Sequence, residues 1–238
     1  DMTVLILATG VLAGLVTTVS GMGGGMLLLL VLAVVVDDPV HALVLSSPGL
    51  LVGNVHRAWS LRRDADWGVA WPVVIGAVPA SFLVAMWVVN APVVWIRWAM
   101  LGVALLAAAR GLRWMTWTPS RRWAVPVGIT AGAVQASAGG AGVVMAPYLM
   151  GRELSGRPYV GTMAVVAVFL HVARLSAFGA GGLVTPQVLS MGAGIAVAIV
   201  VGNRVGEVVV GHLGRVSQRR SQVAVLIGAA GLAVAGFR

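Results

Sequence analysis

The stretch SGMGGGMLLLL, residues 20–30, places four glycines among five consecutive residues in the middle of an apolar run. Glycine is the poorest helix former after proline, and a backbone in lipid must satisfy its own N–H and C=O groups. A break here therefore leaves amides without helical partners where water cannot replace them. A second patch, ASAGGAGVVMAP at residues 136–147, repeats the feature in the other half of the chain.

The surroundings of both patches are those of a membrane protein. The chain has 238 residues, of which 59% are hydrophobic and 10% charged, against roughly 25% charged in soluble domains. It carries no cysteine, so disulfides and thiolate chemistry are excluded. His, Asp and Glu are too few and too scattered to suggest a metal cluster, and no cofactor is expected. The net charge of +9 comes from arginine alone, since the chain contains no lysine. Most of these arginines lie in short loops between apolar segments, which is an orientation signal rather than a nucleic-acid footprint. The expected surroundings are a lipid bilayer, with no nucleic-acid partner. The first segment lacks a basic n-region and an A-x-A site, so it reads as retained.

Segments of spanning length, about 20 residues, fall at roughly 40–60, 68–89, 92–111, 158–178, 186–210 and 221–237. Segments 3–36 and 123–150 are interrupted by the glycine patches. Each leaves a short arm behind it, residues 26–36 and 142–150. Nine helical residues rise only about 14 Å, half a hydrocarbon core, so the short arms read as half-helices in a hairpin. Loop charges favour this. Arg62 and Arg63, then Arg110, Arg113, Arg121 and Arg122, then Arg152 and Arg157, then Arg215, Arg219 and Arg220 fall on one face if each interrupted segment returns to its own side. The arginine-free turns at 37–39, 90–92 and 179–186 then share the other face. Both termini are expected outside, in a cell (inner or plasma) membrane. Trp59, Trp67, Trp114, Trp117 and Trp123 at one face and Trp87, Trp95 and Trp98 at the other read as interfacial belts.

The two halves align at an offset of about 117–119. Gly14 and the patch after it match Gly132 and the patch after it. Pro39 and Ala42 match Pro158 and Gly161, and NVHR (54–57) matches HVAR (171–174). Each half carries one even-crossing segment and three spans, an odd total, so the halves lie in opposite orientations. This is an all-α, inverted-topology repeat, a transporter design. The expected units are a first repeat at 1–111, a cytoplasmic linker at 112–122 and a second repeat at 123–238.

The GMGGG patch, the Pro-x-x-Ala after it, and a degenerate second copy followed by YVGT (159–162) resemble the TauE/SafE family. The resemblance covers nearly the whole chain and implies a permease exporting sulfite or a related organosulfonate. The sequence departs from the family pattern at Leu30, where a proline often stands, and at Ala141 and Val143, where glycines are lost.

Broken helices suit this task. A freed helix N-terminus presents amides and the positive end of a dipole, which hold an oxyanion without a full charge. Ser20, Gly21, Gly23, Gly24 and Gly25, with Gly139 and Gly140, are the candidate backbone ligands; close helix packing by small residues is the competing reading. Arg57 and Arg174 are repeat equivalents within spans, where arginine costs about 2.5–3.5 kcal/mol. Near the span ends, one at each mouth, they are candidate oxyanion ligands, with snorkelling as the alternative. Ser46, Asn54, Gln135, Ser137 and Thr162 are candidate neutral donors, together with Ser47. His171 is a candidate proton-passing group or a satisfied core histidine. Arg204 and Glu207, three apart beside Asn203, are candidate gating residues or an internal ion pair. His41, His56 and His212 read as interfacial.

The function expected is secondary export of a small sulfur oxyanion by alternating access. Alternatives are an anion channel of the same fold and an intramembrane hydrolase using Ser46 or Ser47 with His171, which lacks a G-x-S-x-G context. The sequence fixes no oligomeric state.

Overall fold

The structure is a computed structural model that describes residues 2–111 and 120–212. The expectations for Arg113, Trp114, Trp117, Arg215, Arg219, Arg220 and the span 221–237 lie outside the described residues, as does that for the side chain of His212. In chain order the described residues form α1 (Met2–Ser20), α2 (Gly24–Val36), α3 (Pro39–Ser60), α4 (Trp67–Asn90) and α5 (Val93–Gly111). After a single 3-10 turn at Arg121–Trp123 come α6 (Ala124–Ala138), α7 (Ala141–Gly151), α8 (Gly156–Ala180) and α9 (Pro186–His212). There is no strand among them. By length and composition α1, α4, α5, α8 and α9 can cross a membrane. α3 has the length, 22 residues, but Ser46, Ser47, Asn54 and Arg57 make it more polar than those five.

Both glycine patches break the helix. Gly21 and Gly23 take φ of 80° and 91°, and Gly139 takes 73°, left-handed conformations that side chains with a Cβ disfavour. The breaks are shorter than the sequence suggests. Gly24 and Gly25 belong to the first turn of α2, so the short arms have 13 and 11 residues, longer than expected. Gly24 serves close approach: a Cβ there would overlap the Ala13 carbonyl and the Thr17 hydroxyl. α2 therefore leaves the break folded back on α1 instead of continuing it. The turn from α2 to α3 is equally defined. Asp37 closes α2 in the left-handed region, and Asp38 caps α3 by accepting from Val40 N at 2.9 Å, ahead of Pro39.

The connections sort by charge. At one end Arg157 pairs with Asp64 at 2.9 Å, Thr162 Oγ1 accepts from Asp66 N at 2.9 Å, and Arg121 and Arg152 share a pocket with Asp66. The basic connections 61–66, 120–123 and 151–157 thus converge. At the other end Arg97 pairs with Asp37 at 3.2 Å and Gly181 packs beside Val89, which gathers the arginine-free turns. Arg97 is an arginine the loop reading did not place: it stands in the second turn of α5, exposed.

Helix packing is paired. α4 packs most extensively on α6 and α1 on α9. On α6, Gly128 and Gly132 lie against the α4 backbone at Val73, Ala77 and Ser81; on α1, Gly10 and Gly14 lie against α9 at Ile195, Ile199 and Asn203. Both pairs use small residues four apart, which let backbones approach and interlock where lipid supplies no hydrophobic drive. The short helices fill the interior: Leu28, Leu29 and Leu32 of α2 and Tyr148 and Leu149 of α7 are buried. Ile75, Leu83, Val197 and Val208 face outward, as do Trp59, Trp67, Trp87, Trp95, Trp98 and Trp123. The described tryptophans thus lie on the surface, and Arg62 stacks 4.4 Å over Trp59.

Candidate functional site

An internal cavity of about 80 Å³ lies where the two breaks meet. That is several times the space one water needs. Gly21, Met22, Gly23 and Gly25 line it from the first break, and Gly139, Gly140, Ala141 and Gly142 from the second. The breaks touch: a Cβ on Gly142 would come 2.9 Å from Met22 Cβ, and Gly139 sits against Leu29. The N-terminal turns of α2 and α7 thus open on one space. Neither N-cap, Gly23 or Gly140, supplies a side-chain cap, and Gln135 Oε1 reaches Ala141 N only at 3.5 Å. Orphan amides and two helix dipoles are therefore directed at the cavity.

Asn54 and Arg57 of α3, Gln135 of α6, His171 of α8 and Asn203 of α9 add polar groups to the same wall. Arg57 is 6% exposed and Arg174 is 0% exposed, so neither side chain snorkels to the surface. The helices hold these guanidiniums inside because each is fixed one turn back on its own helix. Arg57 Nη2 donates to Asn54 Oδ1, and Arg174 Nη2 lies 3.4 Å from His171 Nδ1. Beyond that the two differ. Arg174 Nη1 donates to the Gln135 carbonyl at 2.9 Å and only its Nε is buried without a partner, while Arg57 keeps both Nε and Nη1 buried without partners. Gln135 Nε2 stands 3.1 Å from His171 Nε2.

No carboxylate among the described residues faces either guanidinium. Among the described acidic residues, Asp37, Asp64 and Glu207 pair with Arg97, Arg157 and Arg204, Asp38 and Asp66 cap helices, and Glu153 is exposed. A buried charge without a counter-charge costs several kcal/mol, so Arg57 leaves the cavity wall with an uncompensated positive charge.

Several sequence candidates lie elsewhere. Gly24 faces α1 and does not line the cavity. Ser20 spends its hydroxyl on the Val16 carbonyl, at 2.6 Å, and on the Met22 carbonyl inside the break. Ser46 and Ser47 both donate to Leu43 O, Ser137 to Ala133 O and Thr162 to Pro158 O. Neither Ser46 nor Ser47 bonds to His171, so no serine–histidine pair exists there. Arg204 and Glu207 form an ion pair of 3.3 Å on the outer surface, with side chains 67% and 34% exposed, rather than an internal one. His56 is half-buried, with Nδ1 3.5 Å from Asn203 Nδ2. His41 is exposed.

Sequence reasoning left Asn203, Gly142 and the four methionines Met22, Met26, Met145 and Met163 out of the site, yet all line the cavity. Asn203 is placed by tertiary packing. It donates to Gly53 O at 2.9 Å while Ser81, at the matching place of the other half, donates to Leu170 O at 3.2 Å. Gly53 and Leu170 stand 117 apart, the repeat offset itself.

A polytopic helical protein with a cavity between broken helices and a buried arginine on its wall belongs to the class of membrane transporters for small solutes. The chain belongs to the sulfite exporter TauE/SafE family, whose family model matches residues 6–234. It is thus a member of a family of membrane permeases associated with export of sulfite and related sulfur compounds. No curated protein and no solved structure matches the chain.

Proposed function

We propose that this chain is a secondary transporter that binds sulfite or a small organosulfonate in the central cavity and exports it by alternating access between two inverted halves. The observation that carries the reading is Arg57: a buried guanidinium with two unpartnered nitrogens, no carboxylate in reach, and the open ends of two half-helices beside it. Guanidinium and amide donors match a planar face of oxyanion oxygens. Their supply is limited, so the substrate is held loosely enough to leave. Arg174, bonded to the Gln135 carbonyl and outside the cavity lining, positions the wall of the site rather than the anion.

Matching hydrogen bonds at Asn203–Gly53 and Ser81–Leu170, and matching helix pairs α1–α9 and α4–α6, support two equivalent units at 1–111 and 123–238. An inverted relation of such units gives one site and two gates. The basic end is cytoplasmic in this reading and the termini are outside. An inside-negative potential then drives the anion outward.

Flux into proteoliposomes tests the proposal. Uptake of sulfite should saturate, accelerate when sulfite is present on the far side, and respond to an imposed potential. Linear flux without trans-stimulation would make the protein a channel and contradict alternating access.

A further inference from the structure

We propose that a second pocket, at the basic end, is a phosphate-recognising site taken by the headgroup of an anionic phospholipid. The pocket has a volume of about 220 Å³ and is lined by Asp66, Val69, Pro72, Arg121, Tyr148 and Arg152. It shares no residue with the central cavity. Arg152 Nε is buried there without a hydrogen-bond partner. Neither Arg121 nor Arg152 takes part in an ion pair among the described residues. The one acidic group is already engaged: Asp66 Oδ1 caps α4 by accepting from Val69 N at 3.0 Å. Two guanidiniums against one carboxylate leave a positive excess, with a phenol beside them.

The pocket's position selects the source of the phosphate. It lies among the basic connections, close to Trp67 and Trp123, both exposed on the surface of the helix bundle. Such tryptophans mark the depth of lipid headgroups. Basic pockets between membrane helices at that depth take anionic headgroups. A phosphodiester offers two oxygens in the geometry a guanidinium fork binds, and the Tyr148 hydroxyl can donate to a third. The second oxygen of Asp66 discriminates what the phosphate carries. A glycerol headgroup brings hydroxyls that donate to it. A choline headgroup brings no donor and sets a further cation beside two guanidiniums. The site therefore takes phosphatidylglycerol over phosphatidylcholine.

The test is lipid exchange on the purified full chain in detergent, read by native mass spectrometry, with phosphatidylglycerol, phosphatidylcholine and inorganic phosphate as probes. Phosphatidylglycerol should bind about tenfold tighter than phosphatidylcholine. The preference should fall to parity in Arg152→Gln and in Arg121→Gln and survive in Arg62→Gln, a basic residue at the same end but outside the pocket. If Arg152→Gln does not fold, Arg121→Gln and the milder Tyr148→Phe carry the test. Parity in the unmodified protein, or a preference that survives both arginine changes, would overturn the proposal. Displacement of the lipid by inorganic phosphate would overturn its assignment to a headgroup.

Discussion

Arg174 donates Nη1 to the backbone carbonyl of Gln135 at 2.9 Å, whereas its counterpart Arg57 leaves two nitrogens free at the cavity. The bond closes the last turn of α6 onto α8 immediately before the second glycine break. Under the proposed function the two arginines divide the work: Arg174 shapes the site and Arg57 meets the anion. Arg57→Gln is expected to fold and to lose anion affinity about 10- to 100-fold, the worth of one or two charge-assisted hydrogen bonds. Arg174→Gln should instead lower the thermal midpoint, because it removes the charged one of the two donors to a buried carbonyl, leaving only Gly139 N at 3.2 Å. Isothermal titration alongside melting curves separates the two outcomes.

The breaks themselves are accessible to a similar comparison. Gly21 and Gly23 need positive φ, and an alanine in that region costs about 1–2 kcal/mol. Gly21→Ala is doubly penalised, since a Cβ there would strike the ring of Tyr159. Gly102→Ala is the control: it lies in α5 with open space around it and should be neutral or slightly stabilising. Melting curves of the three variants should rank Gly102→Ala highest and Gly21→Ala lowest.

The exposed pair Arg204–Glu207 is expected to contribute little. Surface ion pairs are worth about 0–1 kcal/mol, and this pair does not line the cavity. Arg204→Gln with Glu207→Gln should leave sulfite binding unchanged. A reduced flux with intact binding would identify the pair as a gate.

Because the chain has no cysteine, sidedness can be read with single introduced thiols. Asp37→Cys and Asn90→Cys should react with an impermeant maleimide from one side of the membrane. Arg63→Cys and Ser155→Cys should react only from the other. Labelling of Asp37→Cys and Arg63→Cys from the same side would contradict the crossing pattern on which the inverted repeat rests.

Much of this was legible in the sequence because local rules set it. Runs of glycine forced the breaks, and loop arginines sorted the connections into two ends. The repeat offset paired Arg57 with Arg174 before any packing was known. Depth was not legible. Whether an arginine near the end of a helix snorkels or turns inward depends on what the neighbouring helices present. Here Asn54 and His171, one turn back, and the Gln135 carbonyl hold both inside. For the same reason Ser46, Ser47 and Thr162 read as ligands until their hydroxyls were seen returning to carbonyls of their own helices. Asn203 read as a companion of Arg204, because only tertiary packing reveals that neighbours on one helix face opposite ways.

The central claim is that the cavity between the breaks holds a small sulfur oxyanion through Arg57. Titration of sulfite into the purified protein, beside Arg57→Gln and with sulfate as the comparison anion, tests it most directly. The account predicts saturable sulfite binding that Arg57→Gln weakens about 10- to 100-fold while its melting curve stays intact. Sulfite binding of equal strength in folded Arg57→Gln, or no saturable binding to the unmodified protein, would contradict it.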